Sequence, residues 1–230
     1  MITIDHLVVS YEKDHKVIDN LDVVLPGNAV HGIVGMNGSG KTTLLNAVYG
    51  LKSADAGLIL YCDRKLTKKD ISFLVTENYF YTNITGREYL ALFKGPHFET
   101  EKWNLLFQLP LDTVIDHYST GMKKKLAFMG VLKQYKPVMI LDEPFNGLDI
   151  ETCRIIRQIL LKLKDQDKTI IITSHIIETL TNLCDLIHYL EMGKILFTKN
   201  KSEFAEFEKA IFASIENKNE NIINELTNNI

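Results

Sequence analysis

The eight residues GMNGSGKT, 35–42, restrict the fold of this chain more than any other segment. They follow the apolar stretch AVHGIVG and precede a stretch with apolar residues at helical spacing. Glycines at a strand-to-helix turn let the backbone curl so that successive N–H groups point inward, and the helix N-terminus adds a dipole that favours anions. The spacing G-x-x-x-x-G-K-[ST] therefore predicts a phosphate-binding loop.

The same pattern predicts roles for individual residues of the loop. The ammonium group of Lys41 is expected to bridge β- and γ-phosphate oxygens of a nucleotide, and the hydroxyl of Thr42 to ligate Mg²⁺. The predicted nucleotide-binding residues of the loop are Gly35, Met36, Asn37, Gly38, Ser39, Gly40, Lys41, Thr42 and Thr43.

A second acidic element stands at VMILDEP, an apolar strand pattern that ends in two carboxylates. Asp142 is expected to hold the Mg²⁺ shell. Glu143, one residue further on, can accept a proton from an attacking water. The pairing of this segment with the phosphate loop favours a nucleotide-hydrolysing site over an ordinary acidic loop.

Alternating strand and helix patterns predict a largely parallel sheet covered by helices. ITIDHLVVSY, KVIDNLDVVL, GLILYC, ISFLV, VMILD and TIIIT indicate strands, and HYLEMGKILF indicates a final hairpin. The period becomes helical between Thr85 and about Gln134, which predicts a helical insertion, and a further helix is predicted over 151–164. The tail after about Lys199 is expected to be helical from Glu203 onward.

Charge and composition limit the possible partners. The net charge is −3, so we expect no nucleic-acid binding. The N-terminus lacks the pattern of a signal peptide, and no apolar stretch approaches the roughly 18 residues needed to cross a bilayer, so any membrane role must come through a partner. Three scattered cysteines predict buried thiols in a reducing cytoplasm rather than a disulfide framework or a zinc site.

The order of phosphate loop, YSTGM and LDEP resembles the nucleotide-binding subunit of an ATP-binding cassette (ABC) transporter over residues 1 to about 200. Further matches are Tyr11 at the position of the aromatic that stacks on adenine, residues 118–122 at the signature, Asp149 at the D-loop and His175 at the switch histidine.

The resemblance implies an α/β P-loop NTPase (RecA-like) core with an N-terminal antiparallel β subdomain and an inserted α-helical subdomain at about 84–136. The ABC ATPase domain would span 1–200 and the polar tail 201–230. The implied function is binding and hydrolysis of ATP with Mg²⁺, which closes and reopens a dimer. The expected partners are a membrane-spanning permease and a second nucleotide-binding subunit, as a homodimer or a heterodimer, on the inner cytoplasmic face of the membrane. The alternative is a soluble ABC ATPase that acts on ribosomes or nucleic acid.

The signature departs from the usual Leu-Ser-Gly-Gly-Gln of the family. Thr120 replaces the first glycine and Met122 the glutamine, whereas Ser119 and Gly121 remain. The resemblance implies that these two residues face the γ-phosphate of ATP bound to the other subunit. The form Y-S-x-G-M resembles exporter-type ATPases that pair with a separate membrane subunit. We interpret the three following lysines, 123–125, mainly as helix-surface charge, because consecutive helical residues point about 100° apart.

The segment after ISFLV lacks the glutamine that the family places near Mg²⁺. Alignment puts Thr76 there, acting through a water, with Glu77 as the alternative. Five large apolar or aromatic residues follow this segment and are predicted either to form a docking surface for the membrane partner or to pack internally: Tyr79, Phe80, Tyr81, Leu92 and Phe93. The remaining histidines are interpreted as surface or packing residues: His6, His15, His31, His97, His117 and His188.

Overall fold

The computed structural model describes residues 1–12, 15–207 and 209. Within this part of the chain the strands are β1 (Ile2–Glu12), β2 (His15–Leu25), β3 (Val30–Val34), β4 (Ala56–Tyr61), β5 (Arg64–Lys65), β6 (Ile71–Leu74), β7 (Val138–Asp142), β8 (Thr169–Thr173), β9 (Leu186–Glu191) and β10 (Lys194–Asn200). The helices are α1 (Lys41–Tyr49), α2 (Gly86–Ala91), α3 (Thr100–Phe107), α4 (Thr120–Gln134), α5 (Ile150–Lys164) and α6 (Ile177–Thr181), with short 3₁₀ turns at Ile115–His117 and Lys201–Glu203.

A six-stranded sheet in the order β10-β9-β3-β8-β7-β6 forms the centre of the molecule. All of its strands are parallel except β10, which pairs antiparallel with β9. Such strands are buried on both faces, and β7 shows the consequence. Val138 and Ile140 pack into one hydrophobic core, while Met139 and Leu141 pack into the other.

A second sheet, antiparallel and in the order β2-β1-β4-β5, covers one face of the central sheet together with α1. The inward residues of β1 alternate with outward polar ones, as expected for a half-buried strand: Ile2 and Ile4 are buried and pack in one cluster with Leu44 and Leu45 of α1. This packing fixes α1, which follows the phosphate loop, against the sheet.

The helices between β6 and β7 build the second core with α5 and α6. Thr85 caps α2 in a reciprocal pair with Glu88, and Ser119 caps α4. The rings of Phe107 and Phe128 join α3 to α4, with centroids 6.0 Å apart. Residues of this segment therefore share one apolar core with the central sheet.

Most predicted elements are confirmed at nearly the predicted positions. VMILD and TIIIT are β7 and β8, the hairpin is β9 and β10, and the helix predicted over 151–164 begins one residue earlier. The two-residue strand β5 and the short helix α6 were not expected from the pattern. For the tail helix predicted from Glu203 onward, Glu203 lies in the 3₁₀ turn and residues 204–207 and 209 are helical, while residues 208 and 210–230 lie outside the described residues. Among the described residues, no helix combines the length and the apolar character needed to cross a bilayer.

Candidate active site

The candidate site lies where neighbouring parallel strands end. The phosphate loop follows β3, Thr76 follows β6, Asp142 ends β7 and His175 comes two residues after β8. The carboxyl ends of parallel strands meet at one edge of the sheet, which is the usual position of ligand sites in α/β proteins. The topology therefore brings together residues that are far apart in the sequence.

The phosphate loop has the close packing that its glycines predict. Gly40 has a φ of 105°, a left-handed conformation that strains any residue with a Cβ. A Cβ on Gly35 would lie 2.2 Å from the carbonyl oxygen of Leu190, so the backbone passes too close for a side chain. The Nζ of Lys41 donates to the carbonyl oxygens of Gly35 at 2.7 Å and Met36 at 3.1 Å. The Lys41 side chain therefore folds back over the loop that is predicted to bind phosphate, and its ammonium group contacts the loop backbone.

The carboxylate of Asp142 accepts three side-chain hydrogen bonds from hydroxyl groups. Thr42 Oγ1 and Thr76 Oγ1 both donate to Oδ2, at 3.0 and 2.6 Å, and Thr173 Oγ1 donates to Oδ1 at 2.5 Å. Asp142 is 2% exposed, so these bonds satisfy a buried charge. The all-oxygen donor set of Thr42, Thr76 and Asp142 is of the kind that Mg²⁺ prefers, and these residues could hold that ion.

Glu143 has an unusual backbone conformation beside this carboxylate. Its φ of 49° lies in the left-handed region, which is rare for glutamate. Its N–H donates to Thr173 Oγ1 at 3.0 Å, and its Oε2 lies 3.0 Å from Nδ1 of His175. The Glu143 side chain is 14% exposed and that of His175 is 53% exposed. The carboxylate thus borders the cleft while a histidine contacts it from the solvent side.

A cleft of about 430 Å³ opens at this edge, a volume suited to a small-molecule ligand. Tyr11 lies at the cleft, 57% exposed, with Nζ of Lys52 4.7 Å from the centre of its ring. The described lining residues are Tyr11, Val17, Asn37, Gly38, Gly40, Lys41, Thr42, Thr43, Thr76, Asp142 and Glu143.

A larger groove of about 630 Å³ lies elsewhere, between α3, the end of α4 and α5. Its lining includes Phe98, Trp103 and Ile159 and contains none of the phosphate-loop or strand-end residues described above. The smaller cleft is therefore the candidate site on the basis of its chemistry, not its volume.

The charges of the cleft influence one another. Burial lowers the pKa of the Lys41 ammonium from its ordinary value, while the nearby carboxylates of Glu143 and Asp142 act in the opposite direction. A cation beside two carboxylates is stabilised by them, and the same cation can attract an anionic ligand into the cleft.

The signature residues Ser119 and Gly121 lie at the start of α4. Ser119 accepts a hydrogen bond from the N–H of Met122 at 3.2 Å and so caps α4, and Gly121 lies in the first turn. Asp149 caps α5 by accepting from the N–H and hydroxyl of Thr152, which lowers its pKa to about 2. These three predicted nucleotide-binding residues are not among the described residues that line the cleft.

The interpretation of the lysine run as surface charge was wrong for Lys124. This residue is 7% exposed, and its Nζ donates to the carbonyl oxygens of Glu143 at 2.5 Å and Asn146 at 3.1 Å. The next lysine, Lys125, lies 3.5 Å from the carboxylate of Asp149. The contacts of Lys124 depend on how α4 packs against the loop after β7. Three consecutive lysines in the sequence do not indicate which of them is buried.

Thr173 is a second site residue that the sequence analysis missed. It ends β8, next to Asp142 at the end of β7, and it links the backbone of Glu143 to the carboxylate of Asp142. A hydroxyl residue at the end of the strand pattern TIIIT was the available signal, because neighbouring strand ends share one edge.

The fold and the phosphate loop define a nucleotide-binding α/β protein of the P-loop class. The family model described as ABC transporter matches residues 18–146. The ABC transporter ATP-binding protein YhaQ of Bacillus subtilis (strain 168), described as uncharacterized, is 30% identical over 207 residues, which is 84% of this chain and 69% of that protein. A lantibiotic transport ATP-binding protein, SrtF of Streptococcus pyogenes, is 29% identical over 208 residues and covers 86% of this chain and 90% of that protein.

A solved ATP-binding subunit of an ABC transporter superposes with a TM-score of 0.80 at 22% identity, covering 88% of this chain and 91% of that chain. This likeness confirms the predicted fold class. The chain belongs to the ABC transporter family. It is an ATP-binding and ATP-hydrolysing subunit that powers transport, and the alternative of an ATPase acting on ribosomes or nucleic acid receives no support.

Proposed function

We propose that this subunit binds ATP with Mg²⁺ in the cleft at the strand ends and hydrolyses it with Glu143 as the general base. One observation carries the proposal: Thr42, Asp142 and Glu143 line the same cleft as the phosphate loop, and His175 contacts Glu143. These are the groups that phosphoryl transfer to water needs, namely phosphate donors, metal ligands and a base.

The nucleotide would be held at both ends. Tyr11 offers an exposed aromatic face for adenine at the cleft, and the N–H groups of the loop that begins at Gly35 would hold the phosphates together with the dipole of α1. Lys41 would exchange its carbonyl contacts for phosphate oxygens, which are stronger partners because they carry charge.

Thr42 and Asp142 would hold Mg²⁺, with Thr76 reaching it through a water. A bound Mg²⁺ supplies charge neutralisation at the phosphate oxygens. Thr173 keeps Asp142 oriented through its hydrogen bond to Oδ1, so Oδ2 remains directed at Thr42 and Thr76.

Glu143 would accept a proton from the attacking water, since a carboxylate at the border of the cleft can reach a water there. His175, which contacts Glu143, would also contact the γ-phosphate and keep the base oriented. The left-handed backbone of Glu143 fits a functional position, because such strain persists only where the surrounding structure holds it.

The exposed N-terminus of α4 would complete the site of a second subunit. Ser119 and Gly121 place free N–H groups and the positive end of a helix dipole there, and this arrangement attracts phosphate. Asp149 would lie at the same interface, because Lys125 of α4 contacts its carboxylate. We propose a homodimer that ATP closes and hydrolysis reopens.

The mechanical output would go to a separate membrane-spanning permease, which would hold this subunit at the inner cytoplasmic face of the membrane. Among the relatives, SrtF is named for lantibiotic transport and BcrA of Bacillus licheniformis, 31% identical over 195 residues, for bacitracin transport. Export is the proposed direction, on the basis of the Y-S-x-G-M signature. The cargo would be set by the permease.

Two substitutions in the purified chain test the proposed chemistry. Glu143→Gln should retain ATP binding but slow hydrolysis by ~10²-fold or more, the scale of general-base catalysis. Lys41→Ala should weaken ATP binding, because it removes the phosphate contact. The matched controls are exposed residues with the same chemical change, Glu151→Gln and Lys65→Ala, and both should behave as the wild type. Wild-type turnover by Glu143→Gln would refute the assigned base.

A further inference from the structure

The signature helix reaches the backbone of the loop that carries the general base through the buried Lys124, in addition to the contact of Lys125 with the carboxylate of Asp149. Lys124 lies in the second turn of α4, and its Nζ donates to the carbonyl oxygens of Glu143 and Asn146. Both acceptors belong to the segment that joins β7 to α5. Lys124 belongs to the helix that Ser119 caps, and its side chain holds the backbone of Glu143, the residue proposed to activate water.

Glu143 is held by its backbone from two directions. Its N–H donates to the hydroxyl of Thr173 on β8, and its carbonyl oxygen accepts from Lys124 on α4. The φ angle of Glu143 is 49°, a left-handed conformation that glutamate rarely adopts. Strained residues of this kind require contacts that fix them, and loss of one contact allows the peptide to rotate. The direction of the Glu143 side chain depends on that rotation.

Burial of Lys124 has a cost that an apolar residue would avoid. Burial lowers the pKa of the Lys124 ammonium, and the carboxylates of Glu143 and Asp142 oppose this shift. Its neighbours on the helix are placed differently, since Lys123 and Lys125 are only partly buried. The ammonium group can donate to two carbonyl oxygens at once, which a methionine of similar length cannot do.

We propose that Lys124 is a positioning residue for ATP hydrolysis, which fixes the backbone of Glu143 and joins it to α4. This inference rests on the proposed function, because it assumes that Glu143 is the base. Its consequence is that a displacement of the N-terminus of α4, where Ser119 and Gly121 lie, moves the general base of the same subunit. The state of one interface would thus be communicated to the backbone of the general base through the Lys124 side chain.

The test is a double-mutant cycle in the full chain. Lys124→Met, Glu143→Gln and the double variant are compared with the wild type for kcat, for KM and for affinity towards a fluorescent ATP analogue, and thermal melting reports folding. Lys123→Met on the same helix is the control. Lys124→Met should lower kcat by roughly 10- to 100-fold, the scale of a misplaced catalytic group, with KM and nucleotide affinity changed less than about twofold.

In the Glu143→Gln background, Lys124→Met should lower the residual single-turnover rate by less than about twofold, because a residue that acts through the base has no further effect once the base is gone. An equal fold-loss in both backgrounds, or a kcat equal to that of Lys123→Met, would overturn the inference. If Lys124→Met fails to fold, Lys124→Gln, which retains an amide donor, is carried through the same cycle with the same criteria. Equal turnover by the wild type and Glu143→Gln would instead overturn the proposed base itself.

Discussion

Thr76 and Thr42 donate to the same carboxylate oxygen, Oδ2 of Asp142, at 2.6 and 3.0 Å. The loop after β6 and the helix after the phosphate loop are therefore joined through one atom at the end of β7. We align Thr76 with the glutamine that the family places near Mg²⁺, and its shorter side chain donates to the carboxylate proposed to hold that ion. Any change at Thr76 should therefore alter the metal response of the enzyme.

Replacement of Thr76 by glutamine should lower the Mg²⁺ concentration needed for half-maximal ATPase activity. The longer amide side chain can reach the metal directly, whereas the threonine hydroxyl is proposed to act through a water. Thr76→Val should raise that concentration by roughly 3- to 10-fold, because it removes a hydrogen bond to a charged group. Magnesium titrations of steady-state turnover measure both effects.

Glu77→Gln is the control for the Thr76 variants, because Glu77 is the next residue and is exposed. It should change the magnesium response little. If Glu77→Gln alone abolishes that response, the role of the missing glutamine belongs to residue 77, and the alignment of this loop is one residue out of place.

The sequence predicted the central sheet well because its strands are short apolar runs buried on both faces. VMILD and TIIIT coincide with β7 and β8 for this reason. The phosphate loop and Asp142 were also predictable, since their chemistry needs residues at fixed spacing or at a strand end. The strand order and the register, which place Thr173 beside Asp142, depend on pairing between distant segments.

Lys124 shows where prediction from the sequence ended. Three adjacent lysines on a helix do not indicate which of them faces the protein interior. The α4 sequence does not resolve this either, because most of the helix beyond Lys125 is buried and the pattern is only weakly amphipathic. Only the packing of α4 against the loop after β7 determines that Lys124 points inward. Asp149 likewise caps α5, a local role that its predicted match to the D-loop does not indicate.

The Glu143→Gln protein should form a dimer with ATP and Mg²⁺ and return to the monomer with ADP. Slow hydrolysis keeps ATP bound, and the phosphate would then be shared between the loop of one subunit and Ser119 and Gly121 of the other. Light scattering measures the mass in each state. Adding Gly121→Arg should prevent the dimer through steric bulk while leaving monomer ATP binding intact.

A constant monomer mass under conditions of confirmed ATP binding would contradict self-association. It would point instead to a different nucleotide-binding subunit as the partner, which is the heterodimer alternative.

The aromatic residues after Thr76 divide into two groups in the structure. Tyr79 and Tyr81 are 78% and 58% exposed and contact each other edge to face at 5.6 Å, whereas Phe80 packs against Tyr89 in the core. Tyr79→Glu should therefore uncouple the proposed permease without loss of ATP binding, as measured by co-purification and by partner-stimulated turnover. The exposed pair is the part of this segment available for a partner.

Phe80→Ala is the contrasting variant, because it removes a ring packed in the core. It should lower the free energy of unfolding by about 1–3 kcal/mol, less than for a fully buried phenylalanine because Phe80 is only partly buried. If Tyr79→Glu unfolds the chain as readily as Phe80→Ala, the docking interpretation of Tyr79 is wrong.

Two buried histidines lie on neighbouring strands of the central sheet, and hydrogen bonds link them to each other and to the edge strand β10. His188 lies on β9 and His31 on β3, with Nε2 of His188 3.1 Å from Nδ1 of His31. Nε2 of His31 lies 2.8 Å from the carbonyl oxygen of Pro26, and Nδ1 of His188 lies 2.8 Å from the hydroxyl of Thr198. This chain of bonds is satisfied when both rings are neutral and each carries its proton on Nε2. Of the surface and packing roles predicted for these histidines, their burial favours packing.

The free energy of unfolding should fall as the pH is lowered below about 6.5, because burial and the neighbouring His31 lower the pKa of His188 to about 3, and burial lowers that of His31. Between about pH 6.5 and the lowered pKa of His188 the unfolded chain binds a proton that the folded chain does not. Stability is therefore present at higher pH and is lost at lower pH by about 1.4 kcal/mol per pH unit for His188, and the lowered pKa of His31 adds to the loss in the same direction. Urea unfolding of the wild type between pH 7.5 and 5 should show this slope, and His188→Gln, though less stable, should reduce it by about one proton. The matched control is His97→Gln, which makes the same chemical change at an exposed position. Equal slopes for the wild type and His188→Gln would show that His188 titrates in the folded protein as it does in the unfolded chain.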